Sequence, residues 1–250
     1  MKSTLLVIAI LIMAVFVIWN RPEFFVIHKY IPFTTTGKVE RELERVLPKN
    51  PYLTAVKKYD PDYYNLMRNL IVEICRGNIS MQQMESRIQE ADSFDTKFLA
   101  RAPDDAVLAF AEVIRSVLRQ LSVNDTDTCF SLAFDDCGST IRVGQKMMSG
   151  ITEGTEDALL GTMAYVVEAA STNPQLAPDP IFVQKKLDEI NTELGKVYGD
   201  DVRLLDDKEA ARTNKKQACA VAIEAITRTT RLPKKEASAV LRVLLAKKKW

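Results

Sequence analysis

Four cysteines, one histidine and several groups of neighbouring carboxylates are the side chains in this sequence best suited to chemistry. The histidine, His28, lies beside the apolar start of the chain. A Ser-His-Asp relay, a Cys-His pair or a histidine-based metal site in the rest of the chain therefore has no candidate histidine. Gly144, Gly150 and Gly154 are scattered and lack the Lys-Ser/Thr ending of a phosphate loop, which argues against nucleotide chemistry. Adjacent acids occur at Asp135-Asp136, Asp200-Asp201 and Asp206-Asp207, and Glu153, Glu156 and Asp157 form a looser group. Acid–base cleavage of a glycan needs two opposed carboxyls, one of them in an apolar setting. Acids beside helix starts more often serve as caps. The reading is a non-enzyme with no catalytic residue, metal or cofactor assigned. An envelope glycan hydrolase using Glu or Asp at 153, 156 and 157 is the alternative.

The cysteines are Cys75, Cys129, Cys137 and Cys219. Cys75 and Cys219 fall on apolar helical faces and read as core residues. Cys129 and Cys137 bracket the run CFSLAFDDC. As one continuous helix this run would hold its sulfurs about 12 Å apart, too far to bond. Asp135, Asp136 and Gly138 point to a reversal of the chain there. A Cys129–Cys137 disulfide is therefore expected if the body lies in an oxidising compartment.

The compartment is set by the N-terminus. Leu5 to Trp19 is an unbroken apolar run of 15 residues, preceded by Lys2 and followed by Asn20, Arg21 and Pro22. As a helix it is about 22 Å long, against a hydrocarbon core of about 30 Å. It ends in bulky Val15, Phe16, Val17, Ile18 and Trp19, whereas a cleavable signal ends in small residues. Trp19 suits a membrane interface. The expectation is an uncleaved signal-anchor over 1–21, a juxtamembrane segment and linker over 22–37, and an all-helical domain over 38–250. A basic start followed at once by an apolar run places the body outside the cytoplasm.

The body must be built from helices. It has few glycines and prolines, and its apolar residues recur at spacings of three and four. Asp60-Pro61 and Asp179-Pro180 each put a capping carboxylate before a proline at the first helical position. Gly77 and Gly199 supply stops. Pro103-Asp104-Asp105 opens the clearest helix, with Val107, Leu108, Phe110, Ala111, Ile114, Val117, Leu118 and Leu121 as its buried stripe. Thr128 is expected to cap a brief helix through Phe134. Thr155-Glu156-Asp157 is expected to start another, burying Leu159, Leu160, Met163, Val166, Val167 and Ala170. Asp207 is expected to begin one long helix, and Pro233 the last. The fold class is all-α, a multi-helix bundle or helical-hairpin array preceded by one N-terminal hydrophobic anchor helix.

Charge divides this body. Residues 207–250 carry twelve Lys/Arg and four Asp/Glu, a net of +8 in a chain whose total is +1, so the remainder holds −7. Lys215, Lys216, Lys234, Lys235, Lys247, Lys248 and Lys249 make the C-terminal helices a basic interaction surface, facing either the acidic body or a partner. Aromatic platforms are scarce there, so no nucleic acid is expected. The functional expectation is a protein-interaction module in the inner membrane of a bacterium, anchored through Leu5–Trp19 with its body in the periplasm. It would act as a scaffold, regulator or inhibitor (an immunity-type binding protein) on another protein of the cell envelope. A body in the cytoplasm docking its basic helices on anionic lipid is a further alternative.

Overall fold

The computed structural model describes Arg45 and residues 47–80, 83–84, 86–87, 94–134 and 140–247. The anchor run, the segment 22–37, Cys137 and Lys248 to Trp250 lie outside the described residues. Within them the regular structure is entirely helical.

The expected caps and stops set the helix ends. Asn50 accepts a hydrogen bond from the backbone N–H of Leu53 and starts α1, Pro51–Tyr59, with proline in its first turn. Asp60 ends α1 and begins α2, Pro61–Cys75, by accepting from the Tyr63 N–H. Gly77 follows α2 at φ 73°, a conformation a Cβ disfavours. A short helix, α3, covers Phe94–Lys97. Then come α4, Asp104–Asn124, and α5, Thr126–Phe134. Asp125, rather than Thr128, holds the start of α5, because its carboxylate accepts from both the backbone N–H and the hydroxyl of Thr128. After α6, Thr140–Gly150, the helix α7 spans Glu153–Thr172, beginning two residues before the expected Thr155.

Asp179 caps α8, Pro180–Tyr198, which stops at Gly199 with φ 56°. A 3-10 segment, Gly199–Leu205, leads to α9, Lys208–Thr213, and α10, Lys215–Thr230. The single helix expected from Asp207 is thus two. Asn214 leaves helical geometry at φ −133°, ψ 55°, ending one helix and opening the next. Asparagine is at ease there because its side chain competes for backbone hydrogen bonds. A turn at 231–233 connects to α11, Lys234–Lys247.

Helix α4 is the centre of the assembly. It packs against α7 on one side and against α10 and α11 on another, with α5 and α6 also in contact. Helix α1 lies on α7, and α8 lies on α10 and α11. Seven of the eight stripe residues expected for α4 are buried; Leu108 is half-buried, and Ala106 joins the core instead. On α10 the buried face includes Ala218, Ala222 and Ala225, small residues that let helix axes approach closely. Buried residues from Leu47 to Leu245 belong to one connected core.

The structure also corrects the expected disulfide. Cys129 on α5 is bonded to Cys219 on α10, with Cα atoms 6.3 Å apart and a sequence separation of 90. Both residues are fully buried. Cys219 does lie on an apolar face, as expected, but that face meets α5 and gives Cys129 a partner. The physical reason is that α5 is helical through Phe134 and packs against α10, which brings Cys219 to Cys129.

Candidate functional site

The residues singled out above that are described stand apart from one another, beginning with the lysines. Lys215 opens α10 and forms an ion pair with Asp127 on α5 at 2.7 Å; its ammonium also sits 5.7 Å from the centre of the Phe130 ring. Lys234 opens α11 and pairs with Asp105 on α4 at 2.5 Å. That hydrogen bond raises the Lys234 pKa above the ordinary lysine value. Lys216 and Lys235 are exposed beside them, and Lys247 ends α11. The run from Lys215 to Thr230 is helical, so these two lysine pairs stand about 22 Å apart along α10. The structure does not gather Lys215, Lys216, Lys234 and Lys235 into one patch. Lys248 and Lys249 lie outside the described residues.

The carboxylates are similarly dispersed. Glu153, Glu156 and Asp157 share the first turns of α7, on one helix end. Acids there complement the partial positive charge of the helix N-terminus. Sitting together on one strand of backbone, they do not face each other across a gap. Asp201 accepts a hydrogen bond from the side-chain amide of Gln217, and Asp207 caps α9. Asp135 and Asp136 lie outside the described residues.

A buried polar cluster joins α11 to α4 and has no signature in the sequence. Arg242 on α11 is only 7% exposed. Its Nε donates to the Ala102 carbonyl at 2.9 Å, and its terminal nitrogen donates to Asp104 at 2.5 Å. The Ser238 hydroxyl donates to the same Asp104 oxygen at 2.6 Å. Partial burial by itself would push the Asp104 carboxyl up. The Ser238 hydroxyl and the Arg242 guanidinium outweigh that and hold it below the ordinary aspartate range. Asp104 is 138 residues from Arg242, and no local pattern links them. This cluster fixes α11 to the start of α4 and is satisfied internally, so it reads as structural.

Large apolar side chains are exposed around α8, as Val123 is on α4. Leu176 in the preceding loop is 90% exposed, Ile181 in the first turn is 81% exposed, and Val197 near the far end is 63% exposed. A shallow hollow runs along α8 beside Pro180, Ile181, Gln184, Lys185, Asp188 and Thr192, residues of one helical face. The loop is held at both ends. The Gln175 N–H donates to the Arg101 carbonyl at 2.8 Å, and Asp179 caps α8 by accepting from the Ile181 N–H at 2.9 Å. Large apolar side chains are thereby presented to solvent on a tethered loop and a helix end. In sequence, Asn173 to Pro178 reads as a plain loop, and the exposure of Leu176 has no local signal.

Among the described residues no group of three His, Cys, Asp or Glu is placed to hold a metal ion. Among them, too, no helix is long and apolar enough to cross a membrane. No protein-family model, curated protein or solved structure matches the chain.

Proposed function

We propose that this chain is a membrane-anchored, extracytoplasmic helical module that binds another protein of the cell envelope as a scaffold, regulator or inhibitor. The observation that carries the reading is the buried Cys129–Cys219 disulfide. Disulfides that lock a fold persist in oxidising compartments and are rare in reducing ones. The apolar run Leu5–Trp19 supplies the means of anchoring. Leu176 and Ile181 supply a surface for the partner, since exposed large apolar side chains held in fixed positions suit protein contacts.

Placement and partner are tested separately. A C-terminal reporter active only outside the cytoplasm is expected to give signal, and one active only inside is expected to give none; the reverse pattern overturns the placement. A photo-crosslinker at residue 176 or 181 in membranes is expected to capture a discrete envelope protein, while the same probe at Lys216 captures much less. Equal capture from all three positions overturns the assignment of the surface.

A further inference from the structure

The disulfide joins cysteines that chain statistics alone would not pair. Cys129 is 90 residues from Cys219 but only eight from Cys137. Loop-closure probability falls with roughly the three-halves power of loop length, which favours the Cys129–Cys137 encounter in an unfolded chain by about 40-fold. A chain exported unfolded meets oxidant before its helices pack. We infer that this protein first forms Cys129–Cys137 and reaches Cys129–Cys219 by exchange, which makes it a client of a thiol–disulfide isomerase. The inference rests on the extracytoplasmic placement for its setting in the cell, though not for its chemistry.

The steps balance. Oxidation of the Cys129 and Cys137 thiols passes two electrons and two protons to a small disulfide such as oxidised glutathione, yielding two molecules of its thiol. The Cys219 thiolate then attacks the Cys129 sulfur. The bond to Cys137 breaks, the bond to Cys219 forms, and Cys137 leaves as a thiolate and takes up a proton. The isomerase runs the same exchange through its own thiolate, by way of a mixed disulfide. The fold sets the timing. Cys129 and Cys219 are fully buried where α5 meets α10, so both sulfurs are closed to a catalyst once those helices pack. Exchange must precede that closure, and uncatalysed rearrangement takes minutes to hours.

The test is oxidative refolding of the full chain in detergent, from the reduced and denatured state, with a glutathione redox pair. Acid-quenched time points are alkylated and their linked peptides identified by mass spectrometry. Wild type is expected to show Cys129–Cys137 first, at least tenfold over Cys129–Cys219, and a purified thiol–disulfide isomerase is expected to speed the conversion roughly tenfold. Cys137→Ser is expected to reach Cys129–Cys219 quickly with little gain from the isomerase. Direct appearance of Cys129–Cys219 in wild type, or equal isomerase dependence of both proteins, overturns the inference. The wild-type time course decides the matter even if the variant does not fold. Because the assay is done in solution, its failure is separate from a failure of the reporter test of placement.

Discussion

Replacing Arg242 by alanine should unfold this protein more readily than replacing any surface cation. The guanidinium is buried and makes three links at once: the Ala102 carbonyl, the Asp104 carboxylate and, through Asp104, the Ser238 hydroxyl. Alanine would leave a carbonyl at a buried residue without this donor, at about 1–3 kcal/mol. It would also remove the packing of the arginine stem, about 1 kcal/mol. Asp104 keeps Ser238, and its side chain is 26% exposed, so water recovers part of the lost ion pair. The total comes to about 3–4 kcal/mol, at the lower end of what breaking a buried pair costs. For a folded region of this size that is about 10 °C in Tm. Arg242→Lys keeps the charge but cannot reproduce both donors, and should lose about half as much.

The same cluster predicts an acid limb. Asp104 has a lower pKa folded than unfolded, so its contribution is complete above the unfolded value of about 3.9 and is lost as pH falls through the lower folded value. Asp104→Asn should therefore unfold less steeply on acidification below about pH 4 than wild type does. Asp125, whose carboxyl is likewise held low, leaves a residual slope. Burial acts to raise it, but the hydroxyl and backbone N–H of Thr128 outweigh that. The assay is urea and thermal unfolding of the full, oxidised chain in detergent, followed by circular dichroism at several pH values. An Arg242→Ala midpoint within 2 °C of wild type at neutral pH would refute the reasoning.

Three further perturbations follow from the packing. Gly150→Ala should cost about 1 kcal/mol, read from the urea midpoint, because a Cβ on the half-buried Gly150 would stand 2.6 Å from the Cδ2 of fully buried Leu121, whose side-chain end must shift. Asp60→Ala should cost about 2–3 kcal/mol by the same measurement. It removes the cap of α2 and deprives Lys97 of a carboxylate 2.6 Å away. Cys219→Ala should lower stability by about 2–5 kcal/mol, read from the same urea midpoint, since it opens a 90-residue loop.

Local chemistry made most of the helices legible in the sequence. Asp60-Pro61, Asp179-Pro180, Gly77 and Gly199 all stand where the structure starts or stops a helix, because a cap or a left-handed residue acts on its own turn of chain. The stripes of α4 and α7 were legible for a related reason, since burial of a face follows helical spacing. What was hidden depends on tertiary neighbours. Asn214 sits inside a convincing helical pattern and breaks it. Cys219 reads as a core residue from its own helix alone, and only the packing of α5 against α10 gives it a partner. Arg242 gave no sign of burial, because a cation becomes a core residue only when a carboxylate and a carbonyl from distant positions are brought to it. The exposure of Leu176 and Ile181 is equally a property of what fails to pack against them.

The charge division of the sequence finds an internal use that bears on where a partner binds. The basic C-terminal helices meet acids at the starts of other helices: Lys215 meets Asp127 in the first turn of α5, while Lys234 and Arg242 meet Asp105 and Asp104 in the first turn of α4. Acids at helix N-termini are already favoured by the helix dipole, so these pairs join helices whose ends were predisposed to carry them. The two exposed pairs, Lys215–Asp127 and Lys234–Asp105, contribute little to stability and weaken with salt. Their importance is rather that they turn part of the +8 inward, towards the body. A partner drawn by the remaining lysines would bind through screened charge, and its affinity would fall steeply between 50 and 500 mM salt. A partner seated on Leu176 and Ile181 would lose little over the same range, because apolar burial does not depend on screening. Capture of the crosslinked partner across that range therefore separates the two surfaces. A steep loss would return the binding site to the lysines of α10 and α11.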